Sequence, residues 1–169
     1  MFERDLVPMM QGYEGLHVAM PKRLSEMEEE GATVQGAATR IGMSGDDIAQ
    51  CTFVRTDSYE VEAFESVFFR DRMSPFRFPE SSPVRSKMSV LTDAILLVLL
   101  RHRASGRRVV VANVHLFWDP KFPHIKSVQA ELACSAVDSF RHKRGVGGDA
   151  GVPTVLCGDL NSVPFMQPQ

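Results

Sequence analysis

Two apolar segments rich in β-branched residues, separated by a stretch with helical periodicity, constrain the fold of this chain more than any other feature. Residues 107–117 read RRVVVANVHLF and residues 153–161 read PTVLCGDLN, and both patterns are typical of buried strands. Between them, apolar residues recur at steps of three and four, as in an amphipathic helix: Ile125, Val128, Leu132, Ala136 and Phe140. A strand, a helix and a second strand predict a parallel crossover, which is almost always right-handed. We therefore expect an α/β fold with both strands in one sheet.

The polar residues of the predicted helix are expected to lie mostly away from its apolar face. They are Lys126, Gln129, Glu131 and Asp138. The helix should therefore cover the sheet with one side and meet solvent with the other.

Polar residues also stand near the end of each predicted strand. Asn113 and His115 should share one face of the first strand, and Asp159 and Asn161 one face of the second, because side chains alternate along a strand. The carboxyl ends of parallel strands are where α/β sheets bind ligands, so we expect the four side chains to converge there. Other readings stay open: residues 158–162 would make a passable turn, and a histidine on an apolar strand is commonly a buried core residue.

The rest of the chain is predicted to support this crossover. We expect a short helix around residues 2–10, strands at 15–19, 50–55, 62–69 and 92–101, a turn at Asp57 and Ser58, and a hairpin connection at 104–106. Residues 24–47 have no sustained period and predict a loop. Residues 70–86 combine prolines with arginines and predict an irregular loop, which either contacts phosphates or is an ordinary surface loop.

Composition restricts the class of protein further. The chain has 169 residues, 44% of them hydrophobic, which is enough for one core. Its net charge is −2, so a nucleic-acid partner would have to be recognised by local basic patches. Three widely spaced cysteines argue against a disulfide framework or a zinc site and fit a reducing compartment.

No membrane association is expected from the sequence. The longest apolar run, residues 94–100, is far shorter than the roughly 20 residues of a membrane-spanning helix. Met1 is followed by Phe2-Glu3-Arg4-Asp5, with charges where a signal peptide would need an apolar segment. We expect a cytoplasmic protein, with the nucleus as an alternative location.

These motifs resemble the endonuclease/exonuclease/phosphatase superfamily and, more narrowly, the CCR4-type poly(A) deadenylases. The N-x-H strand of Asn113 and the G-D-x-N strand of Asp159 carry the wider resemblance, and the Trp118-Asp119-Pro120 extension with the Ile125-Lys126-x-x-Gln129 helix sharpens it. The resemblance implies a partial two-sheet α/β sandwich of the DNase I-like type. It further implies that residues 1–169 form a single incomplete domain, without the family's N-terminal glutamate strand and C-terminal histidine segment, so that these residues alone are expected to be inactive.

The resemblance also implies a catalytic role for Asp159, Asn161 and His115. Asp159 would orient or deprotonate the attacking water, and Asn161 would hold that water or bind a metal or phosphate oxygen. His115 would donate a hydrogen bond to the scissile phosphate. Asp159 and Asn161 would be the metal ligands, with Mg²⁺ as the cofactor and Mn²⁺ as an alternative, since these ions prefer carboxylate and amide oxygens.

The substrate implied by the resemblance is poly(A) RNA or another single-stranded nucleic acid. Asn113, Trp118 and Pro120 would be the substrate-binding residues, with Asn113 also bracing His115 and the other two near the 3′-terminal adenine. The alternative reading is that Trp118-Asp119-Pro120 anchors the loop by packing alone. A deadenylase-complex scaffold is a further expected partner, and the expected reaction is 3′–5′ exoribonucleolytic removal of poly(A). The alternatives are another superfamily phosphodiesterase or phosphatase, such as a 2′-phosphodiesterase or an abasic-site endonuclease, and a non-catalytic fragment or interaction module.

Overall fold

The computed structural model describes residues 10–20, 39–40, 48–73, 78–148 and 151–162, and within them the chain forms seven strands in two sheets. The strands are β1 (Tyr13–Met20), β2 (Thr39–Arg40), β3 (Ile48–Arg55), β4 (Tyr59–Phe68), β5 (Ala94–His102), β6 (Arg108–His115) and β7 (Thr154–Asp159). The helices are α1 (Pro83–Ser89) and α2 (Pro123–Lys143), with a 3₁₀ turn at Phe69–Arg72. The helix predicted around residues 2–10 falls almost entirely outside the described residues.

The second sheet carries the crossover predicted from the sequence. Its strand order is β4-β5-β6-β7, with β4, β5 and β6 antiparallel and β6 and β7 parallel. The 21-residue helix α2 connects the two parallel strands. The prediction of a parallel strand–helix–strand unit is therefore confirmed.

The first sheet packs on one face of the second, and α2 packs on the other. In the first sheet β1 pairs antiparallel with both β2 and β3. A cluster between the sheets joins Leu16, Val18 and Val54 to Leu96 and Val98. A larger cluster lies beneath α2, and its buried members include Ile125, Leu132, Ala136, Phe140, Leu97, Val110 and Val114. The expected two-sheet α/β sandwich is confirmed.

The two strands predicted around Asp57 and Ser58 exist, yet they belong to different sheets. β3 pairs with β1, whereas β4 pairs with β5. Backbone bonds hold the connection between the sheets: Thr56 N donates to Gly12 O and Arg103 N donates to Ser58 O, each at 2.8 Å. The turn therefore carries the chain across the sandwich.

Two predicted loops contain regular structure. Within residues 24–47, Thr39–Arg40 pairs with β1, and the other residues lie outside the described part. Within residues 70–86, the 3₁₀ turn extends to Arg72 and α1 begins at Pro83. Proline is well tolerated at the start of a helix, because the amide hydrogen it lacks would have no partner within the helix there.

The hairpin predicted at residues 104–106 is confirmed. It joins β5 to β6, and Gly106 has a φ of 68°, a left-handed conformation that glycine adopts readily. In the described part of the chain, no helix is long and apolar enough to cross a membrane.

Candidate active site

His115 and Asp159 are paired residues at the carboxyl ends of β6 and β7. Leu116 N donates to Asp159 O at 2.9 Å, which continues the ladder one position beyond them. Val109 and Val111 pack into the cluster between the sheets, so Asn113 and His115 face the first sheet by alternation. Paired residues on neighbouring strands point to the same side of a sheet. The side chains of His115 and Asp159 therefore lie side by side.

Asn161 reaches the same place by a different route from the one predicted. It does not share a strand face with Asp159, because β7 ends at Asp159 and Asn161 has a left-handed φ of 48°. Asparagine tolerates that conformation because its short amide bonds locally. Asn161 N donates to Asp159 Oδ1 at 2.8 Å, and Asn161 Nδ2 donates to Leu116 O at 2.7 Å. The chain thus turns at Asp159 and folds Asn161 back onto the end of β6.

Gly158 allows the two strands to approach this closely. Its φ is 131°, and a Cβ built on it would lie 1.9 Å from Val114 O. The glycine of the G-D-x-N motif is therefore required by the backbone itself.

Asn113 links the two sheets directly beside the site. Its Nδ2 donates to Cys51 O at 3.0 Å and to Thr52 Oγ1 at 3.3 Å, both on β3. A contact between Asn113 and substrate stays a prediction. Gln50, which the sequence did not single out, is buried alongside. When the oxygen and nitrogen of its side-chain amide are exchanged, the amide nitrogen of Gln50 donates to Ala94 O at 2.9 Å. The amide oxygen then accepts from His115 N.

Asp93 adds a carboxyl group near His115 that the sequence did not indicate. It precedes β5, and its Oδ2 accepts a 2.9 Å hydrogen bond from Gln129 Nε2. Burial raises the pKa of Asp93, while the hydrogen bond from Gln129 and the electrostatic interaction with His115 act in the opposite direction. The sequence marks Asp93 only as an acidic residue just before an apolar strand, which does not predict its burial or its bond to Gln129.

Lys126 and Gln129 were predicted to lie mostly off the apolar face of α2, and this is wrong. Gln129 is 0% exposed and Lys126 is 8% exposed. Gln129 Oε1 accepts from Phe117 N at 2.7 Å, and Lys126 Nζ donates to Asn161 O at 2.7 Å. Buried polar groups need such partners, and these come from distant parts of the chain.

Trp118 lies three residues after the end of β6 and is 69% exposed. Its ring lies 6.1 Å from that of Phe117, which is buried and anchors the segment. Lys87 Nζ lies 4.9 Å from the ring centroids of both Phe117 and Phe122. Pro120 lines a neighbouring groove of about 640 Å³ between α2 and the end of β7. Lys87 thus contacts the ring of Phe117, the residue that precedes the exposed indole.

The donor atoms at the site suit a hard divalent cation in type. Asp159 offers a carboxylate and Asn161 an amide oxygen, and Mg²⁺ commonly takes one or two carboxylates while keeping several waters. Nowhere in the described residues do three or more His, Cys, Asp or Glu side chains group as a metal site. The described residues therefore supply part of a ligand set.

No family model matches the chain. In structure, it resembles ANGEL2, a 2′,3′-cyclic phosphatase that was solved in complex with adenosine-2′,3′-vanadate. The TM-score is 0.61 and the sequence identity 19%, and the match covers 96% of this chain and 37% of the ANGEL2 chain. It also resembles the human Nocturnin catalytic domain with bound sulfate, with a TM-score of 0.58 and 17% identity over 96% of this chain and 49% of that one. The fold is that of the endonuclease/exonuclease/phosphatase proteins.

The sequence is more narrowly similar to the CCR4-Not complex 3′-5′-exoribonuclease subunit Ccr4 of Mycosarcoma maydis. The two are 26% identical over 172 residues, which cover 91% of this chain and 24% of that protein. The chain thus spans about a quarter of the length of the curated relative. The resemblance to CCR4-type proteins that the motifs predict is confirmed.

Proposed function

We propose that this chain supplies the water-activating and phosphate-binding residues of a divalent-metal-dependent, CCR4-like 3′–5′ exoribonuclease that shortens poly(A) RNA. The observation that carries the proposal is the pairing of His115 with Asp159 at the ends of two parallel strands, with Asn161 folded back beside them. The similarity to an exoribonuclease subunit over 91% of the chain supports the choice of reaction.

Each site residue has a chemical part in this proposal. One oxygen of Asp159 is held by Asn161 N, and the other would orient the attacking water and accept its proton. His115 would donate a hydrogen bond to a non-bridging oxygen of the scissile phosphate, where negative charge develops. A bound Mg²⁺ or Mn²⁺ would supply charge stabilisation and acidify a water, and Asp159 with Asn161 are the described residues that would hold it.

The substrate side of the proposal depends on Trp118 and Pro120. Single-stranded RNA is usually gripped by stacking bases on aromatic or apolar surfaces, and an indole that is 69% exposed is available for that. Lys87, which contacts the neighbouring Phe117 ring, would supply a local positive charge in a chain whose net charge is −2. These residues would favour a single-stranded polynucleotide.

We further propose that the protein works with a deadenylase-complex scaffold, in the cytoplasm with the nucleus as a second location. The scaffold is supported by the name of the curated relative, which is a subunit of the CCR4-Not complex.

The test uses protein expressed from its complete transcript, with 5′-labelled oligo(A) and Mg²⁺. Stepwise shortening from the 3′ end that stops on chelation is expected. His115→Gln should abolish most of it, whereas His142→Gln, on the exposed last turn of α2, should not.

RNA ending in a 2′,3′-cyclic phosphate and DNA with an abasic site serve as parallel substrates. Cleavage of one of these in place of oligo(A) would identify another phosphodiesterase or phosphatase. A folded protein that processes none of the three would identify a non-catalytic interaction module.

A further inference from the structure

Helix α2 carries two buried polar side chains, Lys126 and Gln129, one turn apart. Residues at this spacing lie on the same side of a helix. Each side chain bonds to a segment that directly follows a site strand: Gln129 to Phe117 N and Lys126 to Asn161 O, both at 2.7 Å. One helix therefore contacts both segments that leave the site.

Gln129 uses both ends of its amide. The oxygen accepts from Phe117 N, and the nitrogen donates to Asp93 Oδ2 at 2.9 Å. Phe117 lies two residues beyond His115 in the sequence, and Asp93 lies just before β5. Because Gln129 is fully buried, water cannot replace either bond if the side chain is lost. This amide therefore fixes the segment after His115 against the neighbouring strand.

Lys126 is a more unusual choice for a buried position. Its ammonium donates to Asn161 O, and none of the ion pairs formed among the described residues involves Lys126. Burying a charged group is costly unless it is well bonded. A neutral side chain would fill the space beneath α2 at lower cost, so the bond to Asn161 is the feature that distinguishes lysine here. Asn161 is also the residue whose left-handed backbone turns it back towards β6.

We propose that Lys126 and Gln129 act as a two-point clamp that positions the active site, an inference that rests on the proposed function. Gln129 sets the segment after His115, and Lys126 sets the turn that carries Asp159 and Asn161. Since both clamp residues belong to one rigid helix, the relative placement of the two halves of the site is fixed by α2. Such placement matters because catalytic groups displaced by about 1 Å can lose roughly 10²-fold in rate.

The experiment compares Lys126→Met and Gln129→Met, which keep the apolar length of each side chain, with Lys143→Met at the exposed end of the same helix. Amide hydrogen exchange of the folded protein is measured by NMR. Lys126→Met should speed exchange at Asn161 by about tenfold or more and leave Phe117 nearly unchanged, and Gln129→Met should do the reverse. Lys143→Met should change neither amide.

Turnover on labelled oligo(A) provides the second readout. Each clamp variant should lower kcat by about tenfold or more while KM stays within about twofold, because positioning is lost and substrate contacts are kept. Lys126→Arg, which retains a charged donor, should recover part of the loss.

Three outcomes separate the possibilities. A uniform rise in exchange across β4 and β5 would overturn the clamp, because both residues would then be general contributors to stability. Unchanged kcat despite faster exchange at Asn161 or Phe117 would also overturn it. A wild-type protein without phosphodiesterase activity would overturn the proposed function alone, since the exchange pattern tests the clamp without substrate.

Discussion

His115 and Asp159 occupy the last paired position of β6 and β7, and Leu116 N extends the ladder by donating to Asp159 O at 2.9 Å. The position of His115 relative to Asp159 therefore depends on the pairing of β6 with β7. A parallel pair needs a crossover, so α2 is part of what places a histidine beside a carboxylate. Changes that loosen the β6–β7 pair should therefore affect the site as well as stability.

Gly158 provides the first prediction. Gly158→Ala should lower the free energy of unfolding by at least about 3 kcal/mol, because the added Cβ would meet Val114 O and the residue has a positive φ. Gly148→Ala is the control, since nothing lies within 4 Å of its Cβ position. Urea unfolding of the two variants measures the difference. Equal stability of both would show that the close approach of β7 to β6 is misplaced.

Asn113 provides a second prediction. Asn113→Leu should destabilise the protein by about 1–3 kcal/mol, because Cys51 O and Thr52 Oγ1 lose a donor in a half-buried place between the sheets. Thr52→Val removes only the longer bond and should cost less than about 1 kcal/mol. Thermal or urea unfolding provides both values. A neutral Asn113→Leu variant would contradict the bridging role of this amide.

The crossover could be predicted from the sequence because its signals are local. The run of valines in β6 reflects packing on both faces of the strand, and the spacing from Ile125 to Phe140 reflects burial on one side of α2. Asn113, His115 and Asp159 followed from strand alternation. The motif resemblance added the two-sheet sandwich, which local patterns do not specify.

The parts that were missed depend on contacts between distant segments. Gln129 is predicted to face solvent because it is polar, although its spacing from Ile125 and Leu132 places it on the apolar side of the helix. Its bonds to Phe117 N and Asp93 make its burial favourable. The turn after β3 predicts that the chain changes direction, but it does not indicate that β4 pairs with β5 in the other sheet. Asn161 fell outside the alternation rule because β7 ends at Asp159.

Asp93 provides a third prediction, on pH. Burial raises the pKa of its carboxyl group above the unfolded value, so the stability this group contributes is present at low pH and lost as pH rises through the folded pKa. Asp93→Asn removes the charge and keeps an oxygen that can accept from Gln129. The free energy of unfolding is measured from about pH 4 to about pH 8. As the pH rises, the variant should become more stable relative to wild type. A difference independent of pH would contradict the raised pKa.

Trp118 provides a fourth prediction, on binding. It is the single tryptophan of the chain, so its fluorescence should change when oligo(A) is added. Trp118→Ala should weaken binding by about 1–3 kcal/mol, the scale of one base stacked on an aromatic ring. Because the side chain is 69% exposed, stability should hardly change. Trp118→Phe keeps a ring and should bind better than the alanine variant. Unaltered affinity in Trp118→Ala would remove this residue from the substrate site.

Asp159 carries the central claim, that the carboxylate at the end of β7 activates water for phosphodiester cleavage. The decisive measurement is turnover of 5′-labelled oligo(A) with Mg²⁺ by protein expressed from its complete transcript, comparing wild type with Asp159→Asn and with Asp138→Asn on the exposed face of α2. Asparagine keeps the shape of the side chain and removes its charge. Asp159→Asn should lower turnover by at least about 10²-fold while oligo(A) binding and circular dichroism stay near wild type, and Asp138→Asn should stay within about twofold. A loss of less than about threefold in Asp159→Asn would mean that Asp159 is only a turn residue, for which asparagine is a good substitute.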